Sequence, residues 1–385
     1  MADTLTAAPV ASTAAPPARL WTIDALRGLA ALGVTLFHAS DLIGMDRSWT
    51  VERALDFVIN NGRYGVWLFF VISGFCIHLR WASRAARGDM SSPEFVSFWK
   101  RRFRRLYPAY FVSLVIYVVL QLSIGYHITP KLVSDFVLHV LLIQNNFPGG
   151  DNAINQVFWT LAIEEQLYLL YFVFLMLRRR FGWAVTLCVV MGLRIAWFAV
   201  AFALHRAYGW EIVVTQIAIV QWIVWILGAL AVEAWFGLVT LPRAWLSPYS
   251  LVGAVLVAGT GSHLYLYTLP DGLPRDLLWL FGDVFWAIAF FILINVTIRM
   301  ESQGAGRFGR WLAGVGLYSY SLYLTHEIIT VYGWTQIAWH RPFDTPSLVL
   351  LPLVVGAAMV LGRMFFTVFE RPFMSAARIR RVDRA

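Results

Sequence analysis

The sequence predicts an all-α protein: a polytopic membrane helix bundle of about ten transmembrane helices, with N-in/C-in topology. Three observations predict it. Of 385 residues, 59% are hydrophobic and only 14% charged, where a soluble domain carries roughly 25% charge. Apolar segments recur along the whole chain, each close to the ~20 residues a helix needs to cross hydrocarbon. The basic residues divide unevenly between alternate connections.

In chain order the spanning segments fall at 22–42, 62–82, 106–124, 157–177, 182–203, 212–236, 247–267, 277–298, 312–336 and 347–369. The stretch 132–145 is apolar but short, and predicts a re-entrant or interfacial helix. With the N-terminus inside, the inward segments hold 21 of the Lys and Arg residues and the outward ones hold 7. Arg63 and Arg80, at the two edges of the second segment, are counted with its outer and inner connections; Arg27, Arg194 and Arg363 lie deeper within spans. That bias sets the orientation, and Arg178-Arg179-Arg180 gives one helix a sharp inner stop. The net charge of +9 is explained by inward loops, so it does not call for a nucleic-acid partner. Eighteen Trp and fifteen Tyr suit two interfacial belts, with some rings free to line a cavity.

Residues 1–20 are rich in Ala, Pro, Thr and Ser and predict a disordered cytoplasmic tail rather than a cleaved signal peptide. Residues 21–375 form the transmembrane domain, and 376–385 a basic cytoplasmic tail. Cys76 and Cys188 sit in apolar runs with no ligand spacing, so free thiols are expected, with no disulfide and no metal site.

Ionisable residues inside spans are costly and therefore functional candidates. Arg27 and His38 are eleven positions apart in the first segment. On a helix that is three turns plus ~20°, so both share one face, about 16 Å apart along the axis. In the third segment Arg102 and Arg105 share a face, and Arg101 and Arg104 form a second pair. Ordinary inward-loop charge is one reading of these. An anion cradle is the other, because guanidinium groups bind phosphate in forked geometry. Glu164 and Glu165 open the fourth span; one faces a polar cavity or forms a structural ion pair with an Arg. His326, on a Tyr-rich face, reads as a packing residue or as a partner in depth of His38 and Glu164. Two polar layers result. Arg27, Arg102, Arg105 and Glu370 make an inner basic layer suited to a phosphorylated ligand. His38, Glu164 and His326 make an outer acid/base layer suited to proton transfer at a hydroxyl.

These segments together resemble the acyltransferase-3 family of membrane-bound O-acyltransferases. The resemblance rests on Arg27 and His38 with ten residues between them, Phe69-Phe70-Val71-Ile72-Ser73-Gly74-Phe75, and Arg102-Phe103-Arg104-Arg105 as an Arg-x-x-Arg motif. It continues through Trp159-Thr160-Leu161-Ala162-Ile163-Glu164-Glu165-Gln166, Tyr320-Ser321-Leu322-Tyr323-Leu324-Thr325-His326 and Glu370-Arg371-Pro372. Thr160 stands where the family often has Ser. The resemblance covers residues 20–375 and is to the stand-alone form without a fused esterase-like domain.

It implies an enzyme of the bacterial cytoplasmic (inner) membrane that moves an acyl group, usually acetyl, from cytoplasmic acyl-CoA to a hydroxyl. The expected acceptor is a cell-surface or exported glycan or glycolipid, such as exopolysaccharide or lipopolysaccharide. Arg27, Arg102 and Arg105 are expected to bind the donor, acetyl-CoA, with no metal. His38 is expected to act as general base or to accept the acyl group, with Glu164 or Asp41 orienting it, His326 beside it, and Asp24 pairing with Arg27. A proton-coupled sugar or lipid transporter is the rival reading of the same buried charges. No paired broken helices or half-to-half similarity favour it.

Overall fold

The computed structural model describes residues 20–43, 58–150, 153–333 and 347–374. The expected tails, 1–20 but for its last residue and 376–385, lie outside them, as do the connections 44–57 and 334–346. The protein is all-helical, with no strand among the described residues. Its main helices are α1 (Trp21–Ile43), α2 (Gly65–Ala85), α3 (Phe95–Ser123), α4 (Pro130–Val140), α5 (Trp159–Tyr208), α6 (Ala218–Trp235), α7 (Pro248–His263), α8 (Leu273–Thr297), α9 (Arg307–Leu317), α10 (Ser319–Glu327) and α11 (Ser347–Phe365).

Every expected apolar segment contains helix, but the segments are not ten separate long helices. Seven helices among the described residues are long and apolar enough to cross a membrane. α5 unites two of the expected spans. Its Gly182 has φ 77°, a left-handed conformation that costs a side-chain-bearing residue energy. Phe174 and Trp183 have ring centroids 5.5 Å apart, whereas nine residues of straight helix would separate them by about 13 Å. The chain therefore reverses at Gly182, just after the Arg178–Arg180 run. The ninth expected span is split between α9 and α10 and continues as a π-helical turn, Ile328–Gly333.

The chain divides into two compact units. One comprises the residues through Ile23, Trp67–Pro93 and Ile223–Arg310. Here α2 and α6 approach so closely that only glycine fits: a Cβ on Gly74 would lie 1.9 Å from the Trp225 carbonyl oxygen, and one on Gly228 would lie 1.8 Å from that of Val71. One turn beyond, His78 Nε2 and Glu233 Oε1 meet at 2.9 Å, fully buried. Trp286 Nε1 of α8 donates to Ser262 Oγ of α7 at 2.9 Å. The first turn of α1 is capped by Glu301, which accepts from the Trp21 and Thr22 amides and the Thr22 hydroxyl.

The second unit comprises Asp24–Val66, Glu94–Trp222 and Trp311–Ala385, and it carries every candidate site residue. α3 runs against the first limb of α5 through an aromatic seam: the Phe98 ring meets Tyr168, Tyr171 and Phe172. α4 folds back along α3, because the Tyr107 and Tyr110 hydroxyls donate to the Val140 and His139 carbonyls, each at 2.8 Å. By Ile154 the chain has returned to Gln121, whose Nε2 donates to that carbonyl at 3.2 Å. The stretch expected to be re-entrant or interfacial, 132–145, is thus part of a hairpin against α3. It delivers buried Phe158 against Tyr110 and Tyr117, so α5 starts beside the middle of α3 rather than at its end.

Candidate active site

Glycine contacts place the helix that carries His38. A Cβ on Gly28 of α1 would sit 2.1 Å from the Leu312 carbonyl oxygen, and one on Gly316 of α9 would sit 1.8 Å from that of Asp24. Backbones this close pack α1 directly on α9, as small residues permit between membrane helices. His38 follows Gly28 by the same ten-residue step that separates His326 from Gly316. The two histidines meet: His38 Nδ1 and His326 Nε2 are 2.7 Å apart, with the rings stacked at 5.0 Å and only 8° between planes.

The partners of His326 set the proton positions. Its Nδ1 lies 2.9 Å from the Tyr323 carbonyl oxygen and 3.3 Å from that of Leu322. A carbonyl only accepts, so Nδ1 carries the hydrogen. With both rings neutral, His326 Nε2 is then an acceptor, and His38 Nδ1–H is its donor. The lone pair of the His38 ring falls on Nε2, free to take a proton. Glu327, the residue after His326, brings Oε1 to 4.0 Å from His38 Nδ1. Its Oε2 accepts from Asn155 Nδ2 at 2.5 Å, and Asn155 Oδ1 is itself held by the Val157 amide. An imidazolium at His38 would thus form beside a buried, anchored carboxylate. The donor atoms of His38, His326 and Glu327 lie within 4.8 Å of one another. The two nitrogens, however, are closer together than the ~3.3 Å that tetrahedral Zn–N bonds of ~2.0 Å require. The geometry is that of a hydrogen-bonded proton relay.

The second cluster is basic. Around Arg105 the charged groups are Arg102, Arg27 and Glu370. Arg27 Nη1 reaches Asp24 Oδ1 at 3.4 Å, and Glu370 Oε2 accepts from the Ser321 hydroxyl at 2.6 Å. Arg102 lies over the rings of Phe98 and Tyr168. Arg105 Nε is buried with no hydrogen-bond partner among the described residues. By contrast Arg101 and Arg104 are exposed, so the inward-facing pair is Arg102 and Arg105. A group of guanidinium donors with an orphaned buried N–H is equipped to hold an anion.

Glu164 does not join His38. The expectation that it orients His38 is replaced by Glu327 in that position. Glu164 Oε1 takes the Tyr168 hydroxyl, and with Glu165 it lines a cleft shared with Leu106, Tyr107, Tyr110 and Tyr320. The physical reason is the early start of α5. Counted from the membrane surface, Glu164 matches His38 in depth; counted from a helix that begins beside Tyr110, it falls level with Leu106, next to the arginines. The side chain of Asp41, the other expected orienter, lies outside the described residues. The Thr160 hydroxyl meets that of Tyr323 at 2.7 Å, a contact a serine hydroxyl could also make.

Three residues near His38 were not singled out from the sequence. Glu327 had a signal, being a second ionisable residue within the ninth span. Asn155 had none, because it comes from the connection between α4 and α5. Arg63 read as loop charge. It is braced by Nε to the Asn60 carbonyl oxygen at 3.1 Å and lies 4.4 Å over the Phe37 ring, making a fixed cation in the electrostatic surroundings of His38.

Comparison with known proteins adds to this geometry. The acyltransferase-3 family model, described as an acyltransferase domain, matches residues 20–366. The acyltransferase MdmB of Streptomyces mycarofaciens is 25% identical over 92% of this chain and 92% of its own length. The O-acetyltransferase OatA of Staphylococcus aureus is 26% identical over 82% of this chain and 51% of its own. The peptidoglycan O-acetyltransferase OatA of Listeria monocytogenes is 30% identical over 40% of this chain and 24% of its own. The chain thus spans about half or less of the two OatA proteins and nearly all of MdmB. No solved structure matches.

Proposed function

Because the chain belongs to the acyltransferase-3 family, we propose that it transfers an acetyl group from cytoplasmic acetyl-CoA to a hydroxyl of an exported or cell-surface glycan or glycolipid. The reading includes ten crossings of the cytoplasmic membrane, with both termini and the arginine cluster on the cytoplasmic side. The names of the relatives support acetyl as the acyl group and, for one of them, peptidoglycan as a type of acceptor.

The observation that carries the proposal is the 2.7 Å contact of His38 Nδ1 with His326 Nε2, which leaves the Nε2 lone pair of His38 to take a proton. In the reaction His38 Nε2 takes the proton of the acceptor hydroxyl. The oxygen attacks the thioester carbonyl carbon, and a C–O bond forms as the C–S bond breaks. The proton passes from the imidazolium to the departing sulfur, leaving an ester and the free thiol. Glu327 offsets the positive charge while it lasts. Arg27, Arg102 and Arg105 hold the donor's phosphates. From Arg105 to Ser113, whose hydroxyl donates to the Leu324 carbonyl beside the histidines at 3.0 Å, is about 12 Å of helix. The arm of the donor, roughly 15–20 Å when extended, covers that distance.

The test is transfer of labelled acetyl from acetyl-CoA by the protein in membrane vesicles, with endogenous glycan as acceptor. Wild type labels the glycan, and His38→Ala lowers the rate by about 10²–10⁴, the usual weight of a general base. Full labelling by the variant would overturn the assignment. No labelling by wild type would overturn the donor.

A further inference from the structure

The cleft that Glu164 and Glu165 line has no part in the steps above, yet it is a built site. It is a half-open groove between α3, α5 and α10, and its walls include Leu106, Tyr107, Tyr110 and Tyr320. The three tyrosine hydroxyls are turned to backbone carbonyls: Tyr107 to Val140, Tyr110 to His139, and Tyr320 to Leu106. The rings are therefore left as apolar walls. Glu164 is engaged by Tyr168. Glu165 Oε2 is buried with no hydrogen-bond partner among the described residues. An acceptor kept from water without a donor is costly, and native structures retain one when something else supplies the donor.

The position of the cleft says what that is. Along α3 the order is Arg102 and Arg105, then Leu106 to Tyr110 at the cleft, then Ser113 beside Leu324. Along α10 it is Tyr320 at the cleft, then His326 about 9 Å further. Along α3 the cleft thus lies between the arginines and the level of the histidine pair, and along α10 it precedes His326. A ligand joining the two must present apolar length and at least one N–H donor. We propose that the cleft holds the amide-bearing arm of the thioester donor, with Glu165 Oε2 accepting one of its two amide N–H groups. This rests on the acyl-CoA reading above. Glu165 is then a binding residue that distinguishes donors by their arm rather than by their acyl group.

The experiment compares acetyl-CoA with two analogues, each having one amide N–H of the arm replaced by an ester oxygen. Wild-type protein should use one of the two about 10–100-fold less well in kcat/KM, the usual cost of leaving a buried polar group without its partner. In Glu165→Met that discrimination should collapse to about threefold or less, the donor now lacking its acceptor. General damage from the substitution would slow both donors alike and leave the ratio intact, which would overturn the proposal. Equal use of all three donors by wild type would also overturn it, with no variant needed. Should Glu165→Met fail to accumulate, Glu165→Ser, too short to reach the arm, should show the same collapse; an undiminished ratio there counts against Glu165. Absence of any transfer from acetyl-CoA by wild type would remove the donor reading itself.

Discussion

Glu327 Oε1 stands 4.0 Å from His38 Nδ1, while its other oxygen is pinned by Asn155 Nδ2 at 2.5 Å. That nitrogen of His38 already donates to His326, so the carboxylate is not what fixes the tautomer of His38. Its contribution is to the charge that appears when Nε2 is protonated. Glu327→Gln should therefore lower kcat by about 10²-fold, or near 2.7 kcal/mol at 1.36 kcal/mol per decade, with the donor KM changed by no more than about threefold. Steady-state kinetics in nanodiscs decide it. A rise in KM with unchanged kcat would show Glu327 to be a binding group instead. Asn155→Leu should give a smaller loss of the same kind, because Glu327 keeps its charge but loses its anchor.

Direct transfer and an acyl-histidine intermediate leave different traces. In direct transfer His38 carries no acetyl group at any stage. Wild-type protein incubated with acetyl-CoA and no acceptor, then quenched and digested, should yield the His38 peptide at its unmodified mass. A gain of one acetyl on that peptide, absent from a His326-containing control peptide, would make His38 the nucleophile and reassign proton removal to His326.

The arginine cluster separates two residues that differ by one position. Arg105 is surrounded by Arg102, Arg27 and Glu370, whereas Arg104 is exposed. Arg105→Lys keeps the charge but loses the planar fork and the buried Nε–H. It should raise the KM for acetyl-CoA by about tenfold, in line with a lost charge-assisted hydrogen bond of at least 1.4 kcal/mol. Arg104→Lys should leave it within about twofold. Equal effects of the two would reduce the cluster to ordinary interfacial charge.

Some of this was legible in the sequence, for identifiable reasons. Hydropathy marked all the helical segments because a spanning helix must satisfy its own backbone and hide its polarity. The shared face of Arg102 and Arg105, and the exclusion of Arg101 and Arg104 from it, follow from helical periodicity. The placement of Glu164 was not legible. It depends on where α5 begins, and that is set by the hairpin 130–154, whose hydrogen bonds to Tyr107, Tyr110 and Gln121 are tertiary. The choice of Glu327 over Glu164 as the carboxylate at His38 depends on the offset between α1 and α9, which is fixed by two glycines far apart in sequence. Neither glycine is distinguishable from its neighbours by local pattern.

Those glycines give the last prediction. A Cβ on Gly316 would lie 1.8 Å from the Asp24 carbonyl oxygen, while one on Gly314 of the same helix meets nothing within 4 Å. Since the obstacle at Gly316 is backbone, no side-chain rotamer relieves it, and α1 and α9 must part. Gly316→Ala should cost about 1–3 kcal/mol or more, as overpacking of a close contact does, seen as a lower unfolding temperature in detergent. Gly314→Ala makes the same chemical change on an open face and should leave the unfolding temperature unchanged or slightly higher, as Ala favours helix over Gly. Because the α1–α9 contact also sets the His38–His326 distance, Gly316→Ala should lower acetyl transfer at temperatures where the protein is still folded, and Gly314→Ala should not. If Gly316→Ala is destabilised but fully active below its transition, the glycine contact holds the fold without setting the histidine pair.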